Sequence, residues 1–278
     1  MKIWRPLSIA VSNDGAPLSV SVGDLFTTFP YERVTSNKLL AFFVRPEFVL
    51  LMVLAYIISI PILQAVTKHF HITGKSTFFR RAVALHNLAL AIFSLVVAIN
   101  LWPIYFLNFF GNGWESTYCD QNGSFWDSGA GAWNIIFYIS KYYEFADTYI
   151  LILKGKDPSF LQVYHHAGVA LAFWAASVSH SAWYTFGVML NSVIHTIMYA
   201  YFFVKTLYPK IEIKSAKYLT KAQIGQFMLG VGVSQGVLFM GESCDTAASR
   251  LSCAFLNVYG FGLIALFSAF AKKKYKKR

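Results

Sequence analysis

The sequence predicts an all-α integral membrane protein with seven transmembrane helices, and three observations support this fold class. First, the 278 residues are 56% hydrophobic and 13% charged, whereas a soluble domain carries about 25% charged residues. Second, seven apolar runs approach the length of about 20 residues that a helix needs to cross the hydrocarbon. Third, the net charge of +11 lies mainly in short basic segments between these runs, which is typical of membrane topology and argues against nucleic-acid binding.

The seven runs differ in polarity and in how they are joined. The first contains Pro61, which can kink or end a helix, and the third carries charged residues. The turn at residues 179–181 is so short that we expect the fourth and fifth helices to be antiparallel neighbours. The runs are about Glu47 to Val66, Ala82 to Trp102, Ala132 to Leu153, Ser159 to Val178, Trp183 to Leu207, Leu219 to Met240 and Leu251 to Ala271.

Lysine and arginine cluster in alternate loops, and this bias orients a membrane protein. We therefore expect a lumenal N-terminus and a cytosolic C-terminus. The chain then divides into a lumenal or interfacial segment (1–46), a seven-helix transmembrane domain (47–271) and a basic cytosolic tail (272–278). The N-terminal stretch lacks the continuous apolar core of a cleaved signal peptide. Lys274 and Lys276 have the spacing of a dilysine retrieval signal, or they anchor the helix at the membrane surface.

The loop between the second and third runs carries two features of a lumenal segment. Asn122-Gly123-Ser124 is a glycosylation sequon. Cys119 lies in the same loop, and Cys244 lies in the loop between runs six and seven, on the same predicted face. An oxidising lumen could join these two cysteines, although free thiols fit the sequence as well.

Polar side chains recur at helical spacing on four of the predicted membrane helices. Residues three or four positions apart share a helix face, so each set forms a stripe that can contribute to a common site. The stripes are Lys141, Glu144, Asp147 and Thr148 on run three; Gln162, His165 and His166 on run four; Asn191, His195 and Tyr199 on run five; and Thr220, Gln223 and Gln226 on run six.

Several of these residues have structural interpretations. Lys141 with Glu144 is best explained as a buried ion pair, and an isolated His195 is as easily a packing residue. The stripe on run six is at least as well explained by hydrogen bonds between helices as by ligand binding. The adjacent His165 and His166, supported by three other stripes, are the strongest candidates for reacting groups.

The remaining histidines are assigned no part in the chemistry. We expect loop positions for three of them and a packing stripe for the fourth, on run two. The loop residues are His69, His71 and His180, and the packing stripe is His86 with Asn87 and Ser94.

Together these stripes resemble the very-long-chain fatty acid elongases of the endoplasmic reticulum. The resemblance runs from about Asn87 to the C-terminus and rests on four boxes in order. Gln162 stands where most members of that family have histidine, which is similar to the polyunsaturated-chain elongases of algae and protists. The boxes are Lys141 to Thr148, Leu161 to His166, Asn191 to Tyr201, and Thr220 to Gln226.

The resemblance implies a condensing enzyme that joins an unsaturated acyl-CoA to malonyl-CoA without a metal or other cofactor. The implied reaction yields a 3-oxoacyl-CoA two carbons longer, with release of CO2 and CoA. It implies His165 as nucleophile, with His166 and His195 assisting and the other stripe residues in support. The exposed lysines that could dock the CoA phosphates, or serve as topology anchors, are Lys154, Lys156, Lys205 and Lys210. Implied partners are the membrane lipid, the ketoacyl-CoA reductase, hydroxyacyl-CoA dehydratase and enoyl-CoA reductase of the elongation cycle, and a second copy of the chain.

Two other function classes fit parts of the pattern. A membrane desaturase or hydroxylase with a di-iron centre also uses histidine boxes, but it needs several histidine clusters, and this chain has seven histidines with one adjacent pair. A seven-span receptor or transporter fits the topology but leaves four polar stripes unexplained.

Overall fold

The fold is taken from a computed structural model, which describes residues 34–35, 37–121, 123–213, 216–240 and 247–275. The described residues form helices, turns and loops, without strands, which confirms the all-helical prediction. Asn122, Cys244 and Lys276 lie outside the described residues, as does most of the predicted N-terminal segment.

Nine α-helices account for most of the described chain. They are α1 (Lys38–Phe43), α2 (Pro46–His69), α3 (Thr77–Tyr118), α4 (Gly131–Tyr143), α5 (Ala146–Leu153), α6 (Phe160–Val178), α7 (Tyr184–Leu207), α8 (Ala216–Ser234) and α9 (Ala247–Tyr275). A π-helical turn, Trp126–Ala130, precedes α4, and a 3₁₀ turn, Gln235–Leu238, follows α8.

Among the described residues, four helices are long and apolar enough to cross a membrane, namely α2, α3, α7 and α9. Helix α2 contains Pro61 but continues to His69, so the proline does not end it. Helix α3 extends well past the predicted end at Trp102, and Gly113, with a φ of 84°, interrupts its helical backbone. Helices α4, α5, α6 and α8 are shorter or more polar. These helices carry most of the predicted polar stripes.

The third run is two helices, and the prediction of one helix from Ala132 to Leu153 was wrong. Near Glu144 the backbone bonds reach back three residues instead of four. Phe145 N donates to Tyr142 O at 3.3 Å, and Asp147 N donates to Glu144 O at 3.0 Å. This tightening separates α4 from α5 and leaves Glu144 in the turn between them.

The helices enclose a central space. The helices contact one another in a ring, in the order α3, α7, α8, α9, α6 and α4, and α4 contacts α3 to close it. Helix α2 packs outside this ring, against α5 and α6. Helices α6 and α7 are joined by a short turn, as expected, and they contact each other next to it, where the hydroxyls of Ser177 and Tyr184 lie 2.8 Å apart. Further from the turn the two helices diverge, and a cavity opens between them.

The loop after α3 is tied down by a buried carboxylate. Asp120 accepts hydrogen bonds from the backbone of Phe125 at 2.9 Å and of Trp126 at 2.8 Å. The Trp126 ring stacks on His180, with 4.4 Å between ring centroids, which joins this loop to the turn between α6 and α7. Cys119 is disulfide-bonded, and Cys253 is a buried free thiol.

Asp120 is expected to make stability depend on pH. Burial raises the pKa of its carboxyl to about 6, against two backbone N–H donors that lower it. The folded chain therefore binds more protons than the unfolded chain between pH of about 4 and 6, and stability falls as the pH rises through that window. In detergent, the unfolding midpoint of the wild type should fall more steeply between pH of about 4 and 6 than that of Asp120→Asn. Equal slopes would contradict the assignment.

Candidate active site

Helix α6 carries the histidine pair and begins at a capped turn. The Ser159 hydroxyl accepts from the backbone N–H of Gln162 at 3.2 Å, which satisfies one of the free donors at the helix start. His165 and His166 follow within the next turn. Adjacent residues on a helix point about 100° apart, so the two imidazoles have different neighbours and do not share the single face predicted for them.

His166 turns toward α2 and α5 and is held by Gln162. The Gln162 amide nitrogen lies 2.8 Å from His166 Nε2 and 3.4 Å from the Thr148 hydroxyl. Thr148 in turn bonds the hydroxyl of Tyr56 at 2.8 Å. Because an amide nitrogen donates and does not accept, His166 Nε2 must be the acceptor, and its lone pair is occupied by this bond.

His165 turns toward α9. Its Nδ1 lies 3.0 Å from the Tyr259 hydroxyl, and the same hydroxyl donates to the backbone carbonyl of His165 at 3.1 Å. The Phe267 ring packs edge-on against the imidazole, with 6.3 Å between centroids. Tyr259 was not predicted as a site residue, because a tyrosine in an aromatic-rich helix gives no distinguishing sequence pattern.

A buried ion pair lies beside the third histidine. Lys141 Nζ donates to Glu144 Oε1 at 2.7 Å, and both side chains are almost wholly inaccessible, which confirms the predicted pair. The ammonium also lies 3.9 Å from the centre of the Phe137 ring and 3.5 Å from Asn191 Oδ1. The second carboxylate oxygen, Oε2, lies 3.7 Å from His195 Nδ1. His195 is thus placed against the negative end of the pair.

Asp147 connects α5 to two other helices. It accepts from the Tyr199 hydroxyl at 2.6 Å and contacts His86 Nε2 at 2.9 Å. His86 Nδ1 lies 3.2 Å from the Tyr143 hydroxyl, and the Tyr199 ring packs edge-on against His195 at 5.5 Å between centroids. His86 is therefore part of the polar network, and its interpretation as a packing residue was wrong. Nothing in its local sequence distinguishes the two roles.

Only one of the three residues of the fourth stripe, on α8, contacts the other residues of the site. Gln226 joins the site, since Asn191 Nδ2 donates to its Oε1 at 3.5 Å. Gln223 instead donates to the sulfur of Met198 at 3.3 Å, and Thr220 bonds the hydroxyl of Tyr275 at 3.2 Å. Gln223 thus links α8 to α7, and Thr220 links α8 to α9.

The lysines predicted to face CoA lie at loops and helix ends. Lys154 ends α5 and Lys156 follows it, both exposed. Lys210, also exposed, lies in the α7–α8 connection. Lys205 donates to the backbone carbonyls of Pro209 at 2.8 Å and Ile211 at 2.7 Å, so most of its donor capacity holds that connection in place.

An apolar cavity with an empty volume of about 680 Å³ opens between α6, α7, α8 and α9. Helix α6 contributes His165, Val169 and Phe173, which are spaced at i, i+4 and i+8 along one face. At about 1.5 Å per residue this face follows roughly 12 Å of helix. The polar lining residues are His165, Asn191, Gln226 and Tyr259, and the other lining residues are apolar, aromatic or glycine.

Histidine boxes can also bind iron, through several clustered side chains. Within the described part of the chain, no group of three or more His, Cys, Asp or Glu side chains is placed to hold a metal ion. The arrangement instead offers a partly exposed imidazole at an apolar cavity, with a second histidine nearby. Such a site suits transfer of an acyl group to and from an imidazole.

Comparisons with known proteins show the family to which the chain belongs. The model of the GNS1/SUR4 family matches residues 41–278. The chain is 30% identical over 226 residues to long chain fatty acid elongase 2 of Caenorhabditis elegans, covering 80% of each protein. It is 31% identical over 224 residues to fatty acid elongase sre1 of Dictyostelium discoideum, covering 80% of this chain and 81% of the relative.

A third relative matches over a shorter length. The chain is 34% identical over 162 residues to fatty acid elongase 1 of Trypanosoma brucei brucei, which covers 57% of this chain and 53% of the relative. The family match spans most of the chain, including all four polar stripes. The chain is therefore a member of the GNS1/SUR4 family of membrane-embedded proteins.

Proposed function

We propose that this chain is the condensing enzyme of fatty acid elongation, a 3-oxoacyl-CoA synthase that extends long-chain unsaturated acyl-CoA by two carbons. The observation that carries the proposal is the position of His165, whose imidazole lines an apolar cavity while its partner His166 is held elsewhere by Gln162. The names of its relatives as fatty acid elongases support the same activity. The proposed reaction uses acyl-CoA and malonyl-CoA and requires no metal or other cofactor.

The first step is acyl transfer to His165. A neutral imidazole attacks the thioester carbonyl carbon, the C–S bond breaks, and the electron pair leaves on the sulfur of CoA. The imidazole loses one proton in this step, and the CoA thiolate takes up one proton to become a thiol. His166 is the poorer nucleophile, because its Nε2 lone pair already accepts from Gln162.

The second step is decarboxylative condensation. The malonyl carboxylate leaves as CO2, and the carbanion formed attacks the acyl carbon on His165. The C–N bond breaks, the imidazole recovers its electron pair and a proton, and the product is a 3-oxoacyl-CoA. His195 would polarise the malonyl thioester carbonyl, with the Glu144 carboxylate 3.7 Å from its Nδ1 and the Tyr199 ring packed against it.

The cavity suits the acyl tail, because its lining is mostly apolar and His165 is one of its polar residues. In this arrangement the tail lies between α6 and α7. Lys154, Lys156 and Lys210 would meet the CoA phosphates outside the membrane, with Lys205 fixing the loop that bears Lys210.

The finer features of the protein belong to the same proposal. We assign seven transmembrane spans, a lumenal N-terminus, a cytosolic C-terminus and residence in the endoplasmic reticulum, since loop charge alternates in that sense. Gln162 favours polyunsaturated C18 substrates. The reductases and dehydratase that complete the elongation cycle would act on the product, and the chain would work as a monomer or homodimer.

The proposal is tested by supplying purified protein in detergent with labelled malonyl-CoA and a panel of acyl-CoA substrates. Label should enter a 3-oxoacyl-CoA two carbons longer, with the highest rate on unsaturated C18 chains. The control reaction uses protein with both His165 and His195 replaced by alanine. No labelled product across the panel would overturn the proposal, and product only from saturated chains would overturn the substrate assignment.

Filling the cavity should reduce activity on long chains. Gly230 lines the cavity, and a side chain added there meets no atom within 4 Å, so Gly230→Leu should project into open space. We expect kcat/KM on a C18 acyl-CoA to fall by about tenfold or more, in line with one or two displaced methylene contacts at the tail. A C10 acyl-CoA should be less affected.

Gly232 supplies the matched control for this variant. It lies two residues further along α8, is exposed, and also has open space around an added side chain. Gly232→Leu makes the same change in helix propensity without entering the cavity. Equal losses in the two variants, or no loss in Gly230→Leu, would contradict the assignment of this cavity to the acyl tail.

A di-iron desaturase is the nearest alternative. It is disfavoured by the family membership and by the lack, within the described residues, of a histidine and carboxylate group suited to a metal. Stoichiometric iron in the purified protein, together with desaturated product, would revive it.

A further inference from the structure

Tyr259 makes two hydrogen bonds to the same residue of the neighbouring helix, and a hydroxyl has one proton to share between them. Its oxygen lies 3.1 Å from the backbone carbonyl of His165 and 3.0 Å from Nδ1 of the same residue. A carbonyl oxygen accepts and never donates, so the tyrosine proton must lie on the carbonyl side. Nδ1 must then donate its own proton to the tyrosine oxygen. The reverse arrangement would place two lone pairs against each other at hydrogen-bond distance.

We infer that Tyr259 is a positioning residue that fixes the tautomer of His165, with the proton on Nδ1 and the free lone pair on Nε2. This inference rests on the proposed function, in which His165 is the nucleophile. A neutral imidazole attacks through its unprotonated nitrogen, and a hydrogen bond at the other nitrogen decides which one that is. Tyr259 therefore leaves the Nε2 lone pair of His165 free, whereas Gln162 occupies the Nε2 lone pair of His166.

The interface between α6 and α9 is built so that Tyr259 cannot turn away. Its ring lies against Gly168 of α6, where an added Cβ would come within 2.4 Å of the ring. The arrangement is reciprocal, because Tyr164 of α6 lies against Gly262 of α9, where an added Cβ would meet its hydroxyl at 2.2 Å. Tyr164 also donates to the backbone carbonyl of Tyr259 at 3.3 Å. Each tyrosine thus packs on a glycine of the other helix, and these two contacts fix how far one helix is shifted along the other. They also fix the position of the Tyr259 hydroxyl along the helix axis.

The tautomer matters most in the first chemical step. When Nε2 attacks the thioester carbon, the C–S bond breaks and its electron pair leaves on the CoA sulfur, while Nδ1 carries the proton that the imidazole gives up. The Tyr259 oxygen accepts a hydrogen bond from this N–H and so stabilises the positive charge that develops on the ring. Without the hydroxyl the imidazole divides between tautomers, and the fraction ready to attack falls.

The test is the burst of CoA released when acyl-CoA is added without malonyl-CoA. Tyr259→Phe keeps the ring on Gly168 and removes the hydroxyl, so it should slow the burst by roughly tenfold, the effect of one lost hydrogen bond in the transition state. The dissociation constant for acyl-CoA and the unfolding midpoint should stay within about twofold and a few degrees of the wild type. Gly168→Ala, which displaces the Tyr259 ring, should slow the same step.

Tyr275→Phe is the matched control, because it removes a tyrosine hydroxyl from the last residue of the same helix, where the hydroxyl bonds Thr220 at 3.2 Å and does not contact the imidazole. Its burst rate should match the wild type. The inference is overturned if Tyr259→Phe bursts at the wild-type rate, or if Tyr275→Phe slows the burst equally. These outcomes differ from failure of the proposed function itself, which would appear as a wild-type protein with no burst, or as a burst that survives His165→Ala.

Discussion

Replacing His165 by alanine is expected to abolish acyl transfer to the protein and to lower elongation by at least about 1,000-fold, as loss of a catalytic nucleophile does. His165 lines the cavity, and its Nε2 lone pair is the one left available by the contact with Tyr259. His166→Ala should lower the elongation rate less, because His166 is not one of the residues that line the cavity and its Nε2 is hydrogen-bonded to Gln162. The measurements are the CoA burst, mass spectrometry of the acylated peptide, and the rate of two-carbon extension.

His69→Ala provides the control for this pair. His69 is an exposed residue at the end of α2, so its loss removes an imidazole without disturbing the site. Its variant should retain wild-type activity. Full activity in His165→Ala, or an acyl adduct that maps to His166 in the wild type, would reject His165 as the nucleophile.

Replacing one partner of the buried Lys141–Glu144 ion pair is expected to be the most destabilising single substitution in the site. Lys141→Met leaves the Glu144 carboxylate buried without its 2.7 Å partner, which costs about 3–5 kcal/mol. Little folded protein should then be recovered. Adding Glu144→Met removes the orphaned charge, so the double variant should regain most of the lost stability, because apolar replacements of a buried pair are often neutral.

The double variant also separates stability from chemistry. It removes the carboxylate beside His195 and the ammonium beside Asn191. Elongation should therefore remain about 100-fold below the wild type even where the folded fraction has recovered. The unfolding midpoint and the rate per folded molecule check the two halves of this prediction, with Lys68→Met as an exposed control on α2. A fully active double variant would limit the pair to a structural role.

Sequence periodicity predicted most of the helices and the polar stripes on them, but it did not predict how the helices turn against each other. Asn191, His195 and Tyr199 lie on one face of α7, as predicted, because residues four apart share a helix face. His165 and His166 were predicted to share a face, whereas His165 contacts Tyr259 of α9 and His166 contacts Gln162 of its own helix. The break at Glu144 was not visible in the sequence, since the segment contains no glycine or proline between Ala132 and Leu153.

Long-range partners account for the rest of what the sequence missed. His86 meets Asp147 and Tyr259 meets His165 only after folding, across separations of 61 and 94 residues. No local pattern distinguishes a histidine that will bond a carboxylate from one that will pack. The cavity likewise depends on α6 and α7 diverging from a short turn, which loop length alone does not reveal.

The division between apolar and polar helices has a consequence for biosynthesis. Of the four helices apolar enough to cross a membrane, α2, α3 and α9 carry few residues of the proposed site and α7 carries three, whereas α4, α5, α6 and α8 fall short in length or hydropathy. Polar side chains make insertion of a helix costly, so the proposed site residues lower the tendency of their own helices to insert. In the proposed seven-span topology, we expect these polar helices to need contacts with the apolar ones to stay in the membrane, and the site to be complete only when the ring of helices has closed.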